Sequence, residues 1–214
     1  MRLLCISTAF SNTDIALNFD GVRAYHSADS NAKQSENALV NIDALLKENK
    51  IDISQIECMS VVVGPGSFTG IRIGLGLVKG MSVAKPSLKL IGICSLDLMA
   101  HIYVLQSKPQ NDFWCVINAL SGNIFACKYN AQGKRCLEPK MLTGDELASL
   151  SGIIVGLKDE NLSICSDYIK FTPKYLLSLS EQYYNENKFT PENELLPIYL
   201  RKSQAEQNYA DKKN

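Results

Sequence analysis

The chain has 214 residues, 46% of them apolar, and 22 basic side chains balance 22 acidic ones, so the formal net charge is zero. That balance argues against independent binding to RNA, DNA or an anionic membrane, each of which normally leaves a basic patch, and no apolar run approaches the length that crosses a bilayer. The length and apolar content suit one compact globular protein with room for two lobes.

After Arg2 the apolar run ends within a few residues, so no signal peptide is expected. The seven cysteines (5, 58, 94, 115, 127, 136 and 165) are odd in number, lack C-x-x-C spacing and mostly sit in apolar, strand-like runs. Reduced, buried thiols in a cytoplasmic protein are expected. Residues 3–7 read as a first strand, 14–19 as a second and 22–26 as a third, with Asp20-Gly21 as a hairpin turn between the last two. Residues 35–47 read as a helix with Ala38, Leu39, Ile42, Leu45 and Leu46 on one face. A fourth strand is expected at 58–63.

The stretch Val61-Val62-Val63-Gly64-Pro65-Gly66-Ser67-Phe68-Thr69-Gly70-Ile71-Arg72-Ile73-Gly74 organises the rest. Its β-branched run reads as a buried strand. Gly-Pro-Gly breaks the chain, and Ser67 or Thr69 can cap the helix that follows. That helix, expected over 69–84, puts Ile71, Leu75 and Val78 on one side, and Gly70, Ile73, Gly74, Gly76, Leu77, Gly80, Met81 and Ala84 on the other. A helix apolar nearly all round is buried on more than one side. Its four glycines each cost roughly 1 kcal/mol relative to alanine, which close approach by a neighbouring backbone would offset. One face should therefore pack on a sheet, and the other on a second helix or a partner chain.

A fifth strand follows at 89–94 and a helix at 95–106, with Ser95 at its cap. Three strands, helix, strand, helix, strand is the order of a ribonuclease-H-like, actin-like α/β fold, a hairpin-led sheet that turns parallel through helical crossovers. A smaller set comes next: paired strands at 113–118 and 123–129 around Ser121-Gly122, a helix at 143–150, short strands at 153–155 and 162–165, and a helix at 173–185. The polar segment 106–112 divides an N-terminal lobe, 1–106, from a smaller, degenerate C-terminal lobe, 107–203. A mobile tail is expected at 204–214. No internal repeat is visible at a fixed period.

The glycine loop reads either as a tight strand-to-helix turn or as a phosphate cradle at a helix start. It matches neither G-x-x-x-x-G-K-[ST] nor G-x-G-x-x-G. His26 and His101 lie in different elements, and the cysteines are not spaced as ligands, so no metal site is expected. His26 reads as exposed and His101 as a satisfied core histidine. Actin-like phosphotransferases carry an acidic residue at the end of the first strand, where this chain has Ser7, a weak magnesium ligand. Glu36 and Asp43 read as part of a solvated helix face. Arg72 reads as an anion contact or a plain salt bridge.

Together these residues resemble the bacterial TsaB (YeaZ) family. Val62 to Gly74, with Lys79-Gly80 after it, is similar to that family's glycine signature: Gly64, Pro65, Gly66, Ser67, Phe68, Thr69, Gly70 and Arg72. Supporting matches are Leu4 to Ala9, Gln34-Ser35-Glu36, Asn118-Ala119 with Gly122, and Pro197-Ile198-Tyr199-Leu200-Arg201. Ser7, Gln34, Asn118, Asn123 and Phe125 depart from the family's aspartate, histidine, aspartate, glutamate and tyrosine. The losses are mostly of charge, while the packing glycines stay. The resemblance implies a degenerate actin-like (ASKHA) protein of tRNA threonylcarbamoyladenosine synthesis, at the adenosine beside the anticodon. It implies a non-catalytic activator of the catalytic subunit TsaD, joined by the ATPase TsaE, with tRNA met only through the complex. No cofactor is implied in the isolated chain; ATP or ADP and metal belong to the partners or their interface. The implied pairing surface, for a heterodimer or a homodimer, comprises Ala38, Val40, Asn41, Ala44, Gly70, Ile73, Gly74, Gly76, Leu77 and Gly80. The competing reading is an actin-like ATPase or phosphotransferase using the loop 64–70.

Overall fold

The computed structural model describes residues 1–29, 34–119, 123–160 and 162–200, with the side chains of all but 34–36, 144 and 148. The Ser121-Gly122 turn, the Gln34-Ser35-Glu36 side chains, Arg201 and the tail lie outside that description.

Strands β1 (Arg2–Ser7), β2 (Asn12–Phe19) and β3 (Val22–Asp29) form an antiparallel meander. Asp20 and Gly21 both take positive φ (49° and 97°) between Phe19 and Val22, as the two-residue hairpin requires. Helix α1 (Gln34–Glu48) leads to β4 (Cys58–Gly64), helix α2 (Phe68–Ala84) to β5 (Lys89–Cys94), and helix α3 (Ser95–Ser107) leaves the sheet. The strand order is β3-β2-β1-β4-β5, with β4 parallel to both neighbours. Every residue of β4 is buried, as a central parallel strand with helices on both faces demands. Ser60 bonds to Ser180 of α5 (Pro173–Asn185), whereas the next residue, Val61, lies under Gly74 of α2. Helices α1 and α2 therefore share one face of the sheet, and α3 and α5 the other.

The second sheet holds β6 (Phe113–Asn118), β7 (Ile124–Tyr129), β8 (Lys140–Leu142), β9 (Ile153–Leu157) and β10 (Asp167–Ile169) in the order β8-β7-β6-β9-β10. Its order and strand directions repeat those of the first sheet. The short helix α4 (Gly144–Ala148) stands where α1 does, and α5 where α3 does. The described residues between β9 and β10 form turns rather than a counterpart of α2, so the second half is the reduced one. Helix α3 lies between the sheets and touches strands of both. One continuous core results, in which Phe113, Cys115, Ile117 and Tyr129 pack with Ile91, Leu96 and Leu98. A smaller cluster of Trp114, Val116, Ile124 and Ile154 sits on the other face of the second sheet, with Leu147 of α4 packed against it.

Several expectations are corrected. Residues 162–165 form a turn, with the Cys165 N–H on the Leu162 carbonyl, and the strand follows as β10. The three-residue β8 has too little apolar pattern to read. Cys94, not Ser95, is the cap of α3, and Ser95 Oγ is buried with no hydrogen-bond partner among the described residues. Leu39 is 51% exposed, because α1 buries Ala38, Ile42, Leu45 and Leu46 instead. His26 lies mid-strand and half-buried rather than exposed at a strand end.

Candidate functional site

The glycine stretch clamps α2 onto the turn between β1 and β2. The Ser67 N–H donates to the Ala9 carbonyl at 2.9 Å. Thr8 Oγ1 donates to the Gly70 carbonyl at 2.6 Å, and Ser67 Oγ caps the helix by accepting from the Gly70 N–H at 3.1 Å. A Cβ on Gly70 would stand 1.8 Å from the Thr8 carbonyl oxygen, and one on Gly74 2.7 Å from Thr8 Oγ1. Only glycine admits this approach. The Ser67 and Gly70 N–H groups are thus spent within the chain, and the tight-turn reading accounts for them without an anion.

This geometry splits the expected pairing surface. Gly70, Gly74 and Ala38 point into the chain's own core rather than outward. The helical advance of about 100° per residue puts Gly70 and Gly74 on the same arc as Ile71 and Val78, and that arc faces the sheet. A Cβ on Gly76 or Gly80 would meet nothing within 4 Å among the described residues, and both lie on the outside. Beside them stand half-buried Ile73 and Leu77 and, on α1, Val40, Asn41 and Ala44. Val83, which the sequence reading did not place there, joins them at 78% exposed. Helices α1 and α2 pack on each other, so Val40 and Ala44 of one and Gly76, Gly80 and Val83 of the other lie on the outer side of the pair, where Asp43 and Lys47 add an exposed ion pair.

Arg72 meets no carboxylate among the described residues, so the salt-bridge reading is corrected. Its guanidinium lies 3.8 Å above the Phe68 ring, and its Nε donates to Tyr199 Oη at 2.9 Å. Tyr199 belongs to a C-terminal strap. Thr190 N–H donates to the Leu90 carbonyl, Leu195 is buried against Gly92, and Ile198 N–H donates to the Val63 carbonyl. The Pro-x-Tyr-Leu segment therefore seats on the end of β4, next to the glycine loop.

Between the two sheets opens a cleft of about 1100 Å³. Pro65 to Thr69, Arg72 and the strap residues Ile198 to Leu200 form one wall, and Asn118, Ala119 and Lys158 to Glu160 another. Asp14, at its floor, is 1% exposed, and burial raises its pKa to about 6, against a hydrogen bond from Ser27. Its cross-strand neighbour is Ser7. Ser7 Oγ and Asp14 Oδ2 are both buried without hydrogen-bond partners among the described residues. Glu160 accepts the Asn118 N–H at 2.8 Å, and burial raises its pKa too. No sequence signal singled out Asp14 or Glu160.

His101 is hydrogen-bonded as expected but half-buried rather than in the core, with Nε2 3.1 Å from Ser178 Oγ and a pKa lowered by burial. All seven cysteines are free, and burial pushes Cys5, Cys58 and Cys94 up to about 12. No group of three or more His, Cys, Asp or Glu side chains is placed to hold a metal among the described residues, and no helix among them is long and apolar enough to cross a membrane.

The family model described as "TsaD: tRNA N6-adenosine threonylcarbamoyltransferase" matches residues 28–189. The tRNA threonylcarbamoyladenosine biosynthesis protein TsaB of Escherichia coli K12 is 25% identical over 96% of both chains. Its namesake from Haemophilus influenzae is 22% identical over 94% of both. Two solved structures from Pseudomonas aeruginosa share the fold: YeaZ, with a TM-score of 0.78 at 19% identity, and a protein described as similar to peptidase YEAZ, with 0.79 at 20%. They cover 93% and 94% of this chain and 99% of their own.

Proposed function

We propose that this chain, which belongs to the TsaB (YeaZ) family and to the wider family of the TsaD model, is a non-catalytic activator in tRNA threonylcarbamoyladenosine synthesis. It holds a TsaD-type catalytic subunit through the outer faces of α1 and α2, and TsaE joins the assembly. Nucleotide and metal belong to the partners or to the interface, and tRNA is met through the complex in the cytoplasm. In the absence of the partner, the same face serves a homodimer.

The observation that carries this reading is the two-sided construction of α2. Its inner glycines are locked against Thr8, whereas Gly76 and Gly80 meet nothing within 4 Å among the described residues. Two helix-interior glycines without an internal contact cost about 1 kcal/mol each, and an approaching helix backbone would offset that. The chemistry of the cleft supports the non-catalytic part. Ser7 stands where actin-like phosphotransferases carry a carboxylate, and the Ser67 and Gly70 N–H groups at the start of α2 are satisfied within the chain.

The test is co-purification with the cognate TsaD and an assay of threonylcarbamoyl transfer to tRNA, with wild type and with Gly76→Leu. Because a side chain at 76 enters open space, the variant keeps the wild-type monomer fold. It is expected to lose the complex in size-exclusion chromatography and, with it, the stimulation of transfer. Wild-type pairing by the variant would refute the assigned face. Transfer that proceeds equally without this chain would refute the role.

A further inference from the structure

The cleft floor poses a problem that pairing through α1 and α2 does not solve. Asp14 and Ser7 face each other across β1 and β2, and each keeps an oxygen buried without a donor among the described residues. Buried acceptors left without a donor are costly and rare in native proteins, and each calls for an explanation. Asp14 lines the cleft, so a molecule entering there can reach it.

The surroundings select the class of molecule. The walls carry two aromatic pairs, Phe10 with Phe171 at 5.1 Å and Phe68 with Tyr199 at 5.4 Å. Asp14, Asp159 and Glu160 line the space against Arg72 and Lys158. The Arg72 charge is already covered by Phe68 and Tyr199. A phosphate or carboxylate beside Asp14 would meet like charge in a poorly solvated place. A cation with N–H donors meets an unsatisfied carboxylate and aromatic faces, which attract positive charge.

We propose that the cleft between the two sheets binds an organic ammonium, a primary amine on an aromatic or branched apolar body, whose N–H groups donate to Asp14 Oδ2 while the body packs among the cleft's aromatic rings. The site shares no residue with the outer faces of α1 and α2, so it stands or falls independently of the pairing role.

The test uses the full chain and benzylamine as probe, cationic at neutral pH, with benzyl alcohol as its uncharged counterpart. Binding is followed by two-dimensional NMR. Benzylamine should shift resonances of Ala9, Ile117 and Ile198 saturably. Benzyl alcohol should bind at least tenfold more weakly, as should benzylamine to Asp14→Asn, the scale of a charge-assisted hydrogen bond. Gly76→Leu should leave benzylamine binding unchanged. Equal binding of the alcohol and the amine would reduce the cleft to an apolar crevice whose floor is met by water, and would overturn the proposal. So would unchanged binding by a folded Asp14→Asn, or the absence of saturable shifts. The alcohol comparison needs no variant, so it decides the matter even if Asp14→Asn folds poorly.

Discussion

Two alanine substitutions in one helix should have opposite signs. In Gly70→Ala the new methyl would lie 1.8 Å from the Thr8 carbonyl oxygen and 2.9 Å from its carbon, both backbone atoms that no rotamer can move. Relief requires α2 and the β1–β2 turn to separate by about 1.5 Å, judged against ordinary van der Waals contact. Such a shift breaks or stretches the Thr8–Gly70 and Ser67–Ala9 hydrogen bonds, at about 1 kcal/mol each. Overpacking adds roughly 1–3 kcal/mol, while the better helix propensity of alanine returns about 1 kcal/mol. The net expectation is a loss of about 3 kcal/mol. Gly76→Ala meets nothing within 4 Å and should gain close to the full propensity difference, about 1 kcal/mol. Urea unfolding followed by the fluorescence of Trp114, the chain's single tryptophan, measures both. If Gly70→Ala unfolds within about 0.5 kcal/mol of wild type, the ordinary range for neutral substitutions, the inward placement of Gly70 is refuted. Equal destabilisation by both variants would refute the division of the helix into two sides.

The raised pKa of Asp14 gives a second prediction. The folded state holds its proton more tightly than the unfolded chain does, so the ionised group weakens the fold at neutral pH and the penalty fades as pH falls from about 7 through about 6 towards 4. Asp14→Asn should therefore be more stable than wild type by about 3 kcal/mol at pH 7 and should converge on it near pH 4. Glu160 titrates in both proteins and cancels from the difference; a constant gap across that range in denaturant titrations would contradict the buried placement of Asp14. A thiol reagent should modify the exposed Cys136 first and the half-buried Cys165 more slowly. Cys5, Cys58, Cys94, Cys115 and Cys127 should react only as the chain unfolds. Rapid labelling of three or more thiols in the native protein would contradict the core.

Much of the first sheet was legible because its signals are local. Asp20-Gly21 demands a hairpin, the run Val61 to Val63 a buried strand, and Ser67 a cap. What escaped depends on register or on long-range contact. That Asp14 stands opposite Ser7 follows only from the pairing of β1 with β2. The shared order of the two sheets left no trace in sequence, since the second half lacks a counterpart of α2 and its strands β8 and β10 have three residues each. The glycines were recognised as contact residues, but their partner was misjudged for Gly70 and Gly74. The 100° advance per residue sets Gly70 and Gly74, taken together, nearer to Ile71 and Val78 than to Gly76 and Gly80, and a division of the helix into two sides by glycine content hides that. The Pro197 to Leu200 segment was visible as a motif, yet its seat on Val63 and Arg72 required the fold.

Within one helix, then, glycine serves two different ends. At 70 and 74 the chain itself supplies the close neighbour, so replacing those residues weakens the monomer. At 76 and 80 it does not, and alanine at both positions should make the monomer more stable by about 2 kcal/mol. A sequence with glycine at such positions forgoes that stability, and under the proposed pairing the compensation comes from the partner. A face poor in long side chains, on a helix locked to the sheet by Thr8, has few rotamers to order on association. The double variant Gly76→Ala, Gly80→Ala therefore separates two explanations. If the glycines are incidental, it should be both more stable and fully competent to pair. If they exist for the proposed partner, it should gain monomer stability and lose affinity in the same titration, because two methyl groups hold the opposing backbone away.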